Sequence, residues 1–580
     1  MNTALKPMYE WKDINWRKLE CNVFKLQKRI YQASSRGDVK LVRKLQKLLI
    51  SSRSAIAISV RRVTQDNQGK KTAGVDGVKS LTPKQRLTLI NEIKMGSKVK
   101  PTRRVWIPKP GTEEKRPLGI PTMFDRALQA LVKLVLEPEW EARFEPNSYG
   151  FRPGRSCHDA VGAIFTSIHS KSKYVLDADI SKCFDRINHE VLLKKLNTYP
   201  TLRRQIRAWL KAGVMDGKSL FPTNEGTPQG GVISPLLANI ALHGMEELIM
   251  GLAPKFDMRD SRGHTLGLRD KIKSISCIRY ADDFVVLHED YEVIKLCKTE
   301  IEKWLSDIGL ELKPSKTRLA HTLNKLKVEE PGFNFLGFNV RQFPVGKYNS
   351  GSKSRGGLLG FKTIITPSKE SQKRHYRKVA EVIDNSRGLD QAMLIKRLNP
   401  IIRGWCNYFS TVVSQKIFKR LWHLAVWKLL KWGRHRHRNK GRGWIRLKYF
   451  KTIEGDNWVF ATGEGKNSLK LIQHSSTEIK RFVKVKGKAS PYDGDWIYWS
   501  SRMGVHPEVS TRVATLLKKQ KGICAHCGSY FTDGDSIEVD HLVPTSIGGR
   551  NSYDNWQLLH RHCHDKKTAL DGSLGNKLAH

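Results

Sequence analysis

Apolar residues recur at helical spacing from about position 14 to 60, with leucine and isoleucine set among lysines, and this predicts helices. From about Pro101 to Val340 the pattern changes. Short strand-like runs, helical stretches and Gly/Pro turns alternate, which predicts a mixed α+β region. Two runs there are unusual. In IRYADDFVVL (278–287), apolar flanks enclose Asp282 and Asp283, so the run reads as a buried hairpin with paired acids at its turn. In YVLDADISKCFDRINHE (174–190), Tyr174, Val175 and Leu176 lead into Asp177, Asp179 and Asp185, with Asp179 ending the strand-like stretch. GKKTAGVDG (69–77) and SGSKSRGG (350–357) read as loops. Residues 370–432 return to helical spacing, and 445–505 are mixed, with Trp458, Trp496 and Trp499. There is no internal repeat. No apolar run near the roughly 18 residues of a membrane span is expected.

Composition narrows the partner. The chain has 580 residues, too many for one core, so several domains are expected. Lysine and arginine number 103 against 55 acids, a formal charge of +48. Such self-repulsion calls for a polyanion, and RNA or DNA fits better than an anionic membrane surface. The N-terminus has no apolar leader and carries Glu10 and Asp13, so a cytoplasmic or organellar home is expected. Six of the nine cysteines are scattered and read as small buried hydrophobes, while Cys524, Cys527 and Cys563 cluster near the C-terminus.

Like charges at a buried hairpin call for a cation. In a nucleic-acid protein, clustered carboxylates most often hold Mg²⁺, and nucleotidyl transfer uses two ions roughly 3.5–4 Å apart. Taken alone, DAD reads as a helix cap and YADD as a polar turn. At the C-terminus, CAHC (524–527) followed by HRHCH (560–564) has the spacing of a tetrahedral zinc site.

Taken together, these motifs resemble the polymerase palm of reverse transcriptases. RVWIPKPGTEEKRPLGIPTMFDRALQ (104–129), SYGFRPGRSCHDA (148–160), DISKCFD (179–185), GTPQGGVISPLLANI (226–240), YADD (280–283), GLELKPSKTRL (309–319) and FNFLGF (333–338) stand in the expected order. Their wording resembles the group II intron-encoded family. LIKRLNPIIRGWCNYF (394–409) resembles that family's maturase domain. VDH, DNWQLL and CHDKK within 537–568 resemble the HNH nuclease motif.

The resemblance implies a multidomain α+β protein. Fingers and palm with an N-terminal extension would fill 1–360, a helical maturase thumb 361–445, a DNA-binding region 446–505, and a small zinc-bound ββα-metal HNH domain 506–580. Asp179 and Asp282 would chelate two Mg²⁺ ions, with Asp283 beside them and the Ile180 carbonyl assisting. Lys109 and Arg116 would clamp the dNTP triphosphate. Phe184 would sit against the sugar 2′ position, with Gln229 near the sugar and Gly230 and Gly231 allowing close backbone approach. Lys316 would be either a proton donor to pyrophosphate or a plain surface lysine. In the thumb, Lys396, Arg397 and Arg403 would meet RNA phosphates. Trp405, Tyr408 and Phe409 would either stack on unpaired bases or belong to the core. The basic run 433–444 would be a nucleic-acid contact or a disordered arm.

In the nuclease, His541 would be the general base, Asp540 and His564 would hold one Mg²⁺, and Asn555 would fix the geometry. Cys524, Cys527, His560 and Cys563 would bind a structural Zn²⁺, with His562 as competitor because the family often has cysteine where His560 stands. The implied function is RNA-directed DNA polymerase, maturase, and site-specific endonuclease for target-primed reverse transcription in intron homing. The partners would be intron RNA and double-stranded target DNA within a ribonucleoprotein, with no membrane. The rivals are a reverse transcriptase without maturase work and an RNA chaperone with a relic palm.

Overall fold

The computed structural model describes residues 10–96, 99–108, 113–259, 263–352, 357–453, 455–463, 468–531 and 535–570. Helices Trp16–Ser35, Val39–Ile50 and Arg53–Arg61 fulfil the N-terminal pattern. The first two start on side-chain caps, Asn15 and Asp38, which accept from the Lys18 and Leu41 amides. Their apolar faces bury Ile30, Leu45 and Leu49 against helix Met123–Glu141, which is buried along most of its length. Gln27 reaches the Leu134 carbonyl on that helix at 2.9 Å.

Strands β1 (Thr102–Pro108) and β2 (Lys115–Ile120) pair antiparallel, and β4 (Val214–Asp216) and β5 (Ser219–Phe221) extend the sheet in the order β2-β1-β4-β5. A second sheet has the order β6-β7-β3-β8, from Ser276–Tyr280, Asp283–His288, Tyr174–Asp179 and Arg318–His321. Both faces of its centre are covered, so Val175, Leu176, Val285 and Val286 are fully buried. That burial explains the continuous apolar runs in the sequence.

A third sheet joins β9 (Phe333–Phe335), β10 (Phe338–Pro344) and β11 (Phe361–Pro367). Because β10 and β11 pair from Phe338↔Pro367 to Pro344↔Phe361, the boundary expected at 360/361 falls inside a sheet. Helices Lys369–Asp384, Gln391–Phe409 and Gln415–Arg436 follow. The boundary expected at 445/446 likewise falls inside helix Arg442–Tyr449. That helix leads into a sheet of β12 (Phe450–Ile453), β13 (Asp456–Thr462) and β14 (Leu469–Lys470). The C-terminal unit holds β15 (Ile537–His541) and β16 (Trp556–His560) with helix Arg561–Leu570. Its small core already includes Ile497, ahead of the expected start at 506.

Two other expectations change. Ser234–Lys255 is long and apolar enough to cross a membrane by composition, contrary to the reading of the pattern. It is mostly buried in protein and breaks at Gly244 into helices Ser234–Leu242 and Met245–Gly251. The basic run 433–444 is ordered: it finishes one helix at Arg436, turns, and starts the next at Arg442.

Residues 480–509, which straddle the boundary expected at 505/506, lie across the polymerase-like unit. Asp159, fully buried, accepts from the Val485 amide at 2.7 Å and from Arg502 at 2.6 Å. Tyr492 donates to Glu137 at 2.9 Å, and Lys28 pairs with Glu508 at 2.6 Å.

Candidate active sites and metal centre

The central sheet brings the predicted acids together. β3 pairs with β7 so that Asp179 lies opposite Asp283, and β6 pairs with β7 so that Tyr280 lies opposite Asp283. Ala281 and Asp282 therefore form a two-residue hairpin turn. Ala281 has φ +58°, a strained value for a residue with a Cβ.

The surroundings hold the turn in place. The Tyr149 amide donates to the Arg279 carbonyl, and the Arg279 amide to the Asn147 carbonyl, both at 2.9 Å. The buried Arg279 guanidinium reaches the Ala281 carbonyl and the Asn239 Oδ1, each at 3.2 Å. Asn239 in turn donates to the Gly150 carbonyl at 2.7 Å. A Cβ on Gly150 would stand 2.3 Å from the Ala281 nitrogen, so only glycine fits.

Crowding raises the acids. Burial first, then Asp282 and Asp179, push Asp283 up to about 7. Burial, opposed by Arg318, pushes Asp177 up to about 6. Asp282 is raised by burial, with Asp179 adding and Lys316 and Arg116 opposing. Lys316 donates to Asp179. Burial alone would lower the Lys316 ammonium, but that hydrogen bond and the neighbouring acids raise it. Carboxylates set opposite one another by the register and deprived of water fit a divalent cation by donor chemistry. Ile180 follows directly, with its amide on the Asp282 carbonyl at 3.2 Å.

The nucleotide-side residues are placed less uniformly. Arg116 stands exposed on β2 opposite Ile107. Lys109 lies outside the described residues. Phe184 meets Phe151 edge-on at 6.0 Å. Gln229 donates to both Asp185 oxygens at 3.0 Å, and its carbonyl accepts from the Gly119 amide at 2.7 Å. Phe184, Asp185, Gly119 and Gln229 share the wall of a cavity of about 280 Å³. A larger cavity of about 970 Å³ opens beside Asp179 and Asp283 and runs along Arg374, His375, Lys378 and Trp405.

In the C-terminal unit, Asp540 faces Gln557 and His541 faces Trp556 across the hairpin. Asp540 lies 3.8 Å from His564 and 3.0 Å from Lys567. His541 Nε2 is 2.8 Å from Asn551 Oδ1 and 3.1 Å from the Trp556 indole nitrogen. Asn555 accepts from the Val543 amide and donates to the Val543 and Arg550 carbonyls, all at 2.9 Å, which fastens the loop beside His541. Ligand atoms of Cys524, Cys527, His560 and Cys563 all lie within 4.8 Å of one another. His562 stacks on His560 at 5.3 Å and stands outside that group. Four soft donors this close fit Zn²⁺.

Comparison with known proteins covers both regions. Residues 107–340 match the reverse transcriptase (RNA-dependent DNA polymerase) model, and 11–93 match the N-terminal domain of reverse transcriptase. Residues 372–450 match the group II intron maturase-specific domain, and 524–570 match HNH endonuclease. The group II intron-encoded protein LtrA of Lactococcus lactis is 28% identical over 557 residues, spanning 85% of this chain and 88% of LtrA. Protein YkfC of Escherichia coli is 33% identical over 305 residues, spanning 48% of this chain and 78% of YkfC. An uncharacterized 91 kDa protein in the cob intron of Schizosaccharomyces pombe is 30% identical over 376 residues, with 55% and 44% coverage.

The chain belongs to the group II intron-encoded proteins. It joins the family's reverse transcriptase, maturase and HNH endonuclease units in one polypeptide.

Within this family member, several residues around the two sites escaped sequence reading. Arg279, Asn239 and Gly150 buttress the hairpin through partners up to 131 positions apart, from Gly150 to Ala281. Asn551 contacts His541, and Gln557 and Lys567 contact Asp540. Lys567 falls in the CHDKK motif, the one local signal that pointed to it. Asp535 lies 3.4 Å from His560 Nε2, on the far side of the ring from Cys527, whose Sγ is 3.4 Å from Nδ1. The maturase rings turn inward. Phe409 is buried, Tyr408 packs between His158 and Phe338, and Trp405 stacks on His375 at 4.5 Å.

Proposed function

We propose that the two acid clusters are the polymerase and nuclease active sites of a retrohoming intron protein, with the residues in the roles the resemblance implies. The carrying observation is the register that sets Asp179 against Asp283 beside the Asp282 turn. In this reading the β1–β2 sheet is the fingers, the central sheet the palm, and the helices from Lys369 onward the maturase thumb. Mg²⁺ held by Asp179, Asp282, Asp283 and the Ile180 carbonyl would neutralise charge on the attacking hydroxyl and the leaving pyrophosphate. Arg116, with Lys109, meets the triphosphate. Phe184 and Gln229 bound the sugar pocket, and the Gln229 pair with Asp185 holds that glutamine in place. Lys316, which donates to Asp179, would serve the phosphate side.

In the nuclease, Asp540 and His564 would hold one divalent ion, which when bound would polarise the scissile phosphate. His541 takes the proton of the attacking water. With Nε2–H donating to Asn551 Oδ1, the neutral ring carries its lone pair on Nδ1, the nitrogen that takes it. Zn²⁺ on Cys524, Cys527, His560 and Cys563 shapes the unit. Intron RNA would occupy the basic helices, and target DNA the span from the β12–β14 sheet to the nuclease. The working particle is a ribonucleoprotein in a bacterial cytoplasm or an organelle.

The test uses full-length protein with intron RNA and a target duplex. Asp282→Ala should abolish cDNA synthesis and leave intron RNA binding and target nicking intact. His541→Ala should remove nicking and leave extension of a supplied primer intact. Near-normal polymerisation by Asp282→Ala would refute the palm assignment.

A further inference from the structure

Three other tryptophans in and beside the maturase region remain at the surface. Trp427, Trp444 and Trp458 are 42%, 39% and 38% exposed. They surround one short helix, Arg442–Tyr449, which buries Ile445 and Tyr449 and turns Leu447, 72% exposed, to solvent.

Each ring already carries a cation. The Arg442 guanidinium lies 4.2 Å from the Trp427 ring centre, and Arg446 lies 5.6 Å from Trp458. Lys448 and Lys440 lie 4.8 and 5.6 Å from Trp444. Helical spacing sets Arg442 and Arg446 on one flank of the helix and Trp444 and Lys448 on the other. Trp427 and Trp458 thus border one side of the exposed crest and Trp444 the other. The chain around Trp427 and Trp444 is basic, with no acidic residue between Asp390 and Glu454, while Asp384 pairs with Lys428 at 2.7 Å and Asp456 stands two positions before Trp458. The core aromatics here are Trp432, Tyr449, Phe450 and Phe460. Trp458 meets the Phe450 ring at 5.8 Å, yet Trp427, Trp444 and Trp458 each keep more than a third of their surface in water beside cations.

We propose that this surface binds an unpaired segment of intron RNA, with bases stacked on Trp427, Trp444 and Trp458 and phosphates on the adjoining arginines and lysines. The inference rests on the reading of this region as the RNA-binding maturase. Unpaired RNA fits because a paired A-form helix hides its base faces, whereas splayed bases offer theirs to a ring. RNA is favoured over DNA because Trp427 and Trp444 lie within the maturase-specific match, 372–450, and only Trp458 lies beyond it.

The experiment measures binding by the full-length protein to three labelled 20-nucleotide probes: an unstructured single-stranded RNA, its perfect duplex, and single-stranded DNA of the same sequence. Replacing all three tryptophans with alanine should weaken single-stranded RNA binding by roughly ten- to a hundredfold. Duplex binding should change less than twofold. The slope of affinity against salt should be unchanged, because no phosphate contact is removed. Replacing the three with phenylalanine should restore most of the affinity. Equal losses on duplex and single strand would overturn the proposal, as would a phenylalanine variant no better than alanine. A loss as large on DNA as on RNA would reassign the surface to DNA and overturn it too. Normal splicing assistance by the triple variant on its own intron would leave the maturase reading standing while this surface fails.

Discussion

Both candidate centres place a lysine ammonium on an aspartate, Lys316 on Asp179 and Lys567 on Asp540. What stands behind the aspartates differs. Asp179 is 8% exposed and ends a strand flanked on both sides within its sheet, backed by two extensive apolar clusters. Asp540 sits on a two-stranded hairpin whose core is Ile497, Leu516, Leu517, Phe531, Leu558 and Leu559, completed by Cys524 and Cys563. Two of those eight side chains belong to the proposed zinc site. Packing and the hydrogen bonds of Arg279 and Asn239 build the first centre, whereas the second, in the reading proposed above, would borrow stability from a metal.

The sharpest break in this comparison is Cys524→Ala. It removes a ligand and a buried side chain together, so the unit after about residue 510 should unfold. Limited proteolysis should cut there, nicking should vanish, and primer extension should stay near the parent rate. A chelator that strips zinc should reproduce the pattern. Loss of polymerisation to a similar degree would show that the two centres share one stability.

The second effect falls on the rigid side. Gly150→Ala puts a methyl 2.3 Å from the Ala281 nitrogen, and neither backbone can yield without moving the turn that carries Asp282. A shift near 1 Å should lower cDNA synthesis by roughly a hundredfold. Nicking and the zinc content should not change. Activity within threefold of the parent would mean the turn is softer than its hydrogen bonds indicate.

How much of this was legible follows from how local each feature is. Asp179, Asp282 and Asp283 announced themselves because apolar strand residues adjoin them directly. The Cys524, Cys527, His560 and Cys563 group was legible through its spacing, whereas only the fold shows that His560, and not His562, stands among the three cysteines. The buttress was illegible, since Gly150, Asn239 and Arg279 meet across the fold and no short pattern joins them. Trp405 and Phe409 were open to a better reading: they stand at helical spacing from the buried Leu398 and Ile402, so their face was already inward. The DNA-binding region expected at 446–505 came from the resemblance alone, and no local pattern showed how its last part, from about residue 480, is anchored. Its anchors, Tyr492 and Arg502, work through Glu137 and Asp159 far upstream.

Acid should separate the two regions in the opposite direction to chelation. His375, in the wall of the large cavity, meets His474 behind it at 2.8 Å, and both are buried. Burial, with His474 beside it, lowers His375 to about 3, and burial lowers His474 to about 4. Both values lie below the unfolded value near 6.5, so between these limits the unfolded chain binds more protons. Their contribution is whole above about pH 6.5 and is lost as pH falls toward 4. One such histidine should forfeit roughly 2 kcal/mol between pH 7 and 5. Hydrogen exchange should show helices Lys369–Asp384 and Gln415–Arg436 loosening over that range before the central sheet does. His474→Gln should flatten the profile, and an unchanged slope in that variant would exclude the pair as its source.

The smallest expected effect tests how the nuclease unit holds its metal. His560 Nδ1 points to the Cys527 sulfur at 3.4 Å, while its Nε2 lies 3.4 Å from Asp535. A carboxylate there keeps the proton on Nε2 and leaves Nδ1 free to bind zinc, and such partners are worth roughly ten- to a hundredfold in metal affinity. Asp535→Asn keeps the shape and can still hydrogen-bond through its amide oxygen, so the lower end, about tenfold, is expected. Competition with a zinc-sensitive dye reads that number directly. His560→Cys makes the test specific, because a thiolate needs no tautomer. In that background Asp535→Asn should cost zinc affinity almost nothing. An equal loss in both backgrounds would mean Asp535 acts on the loop rather than on the ring, and that the metal is held by the chain's shape as the polymerase acids are.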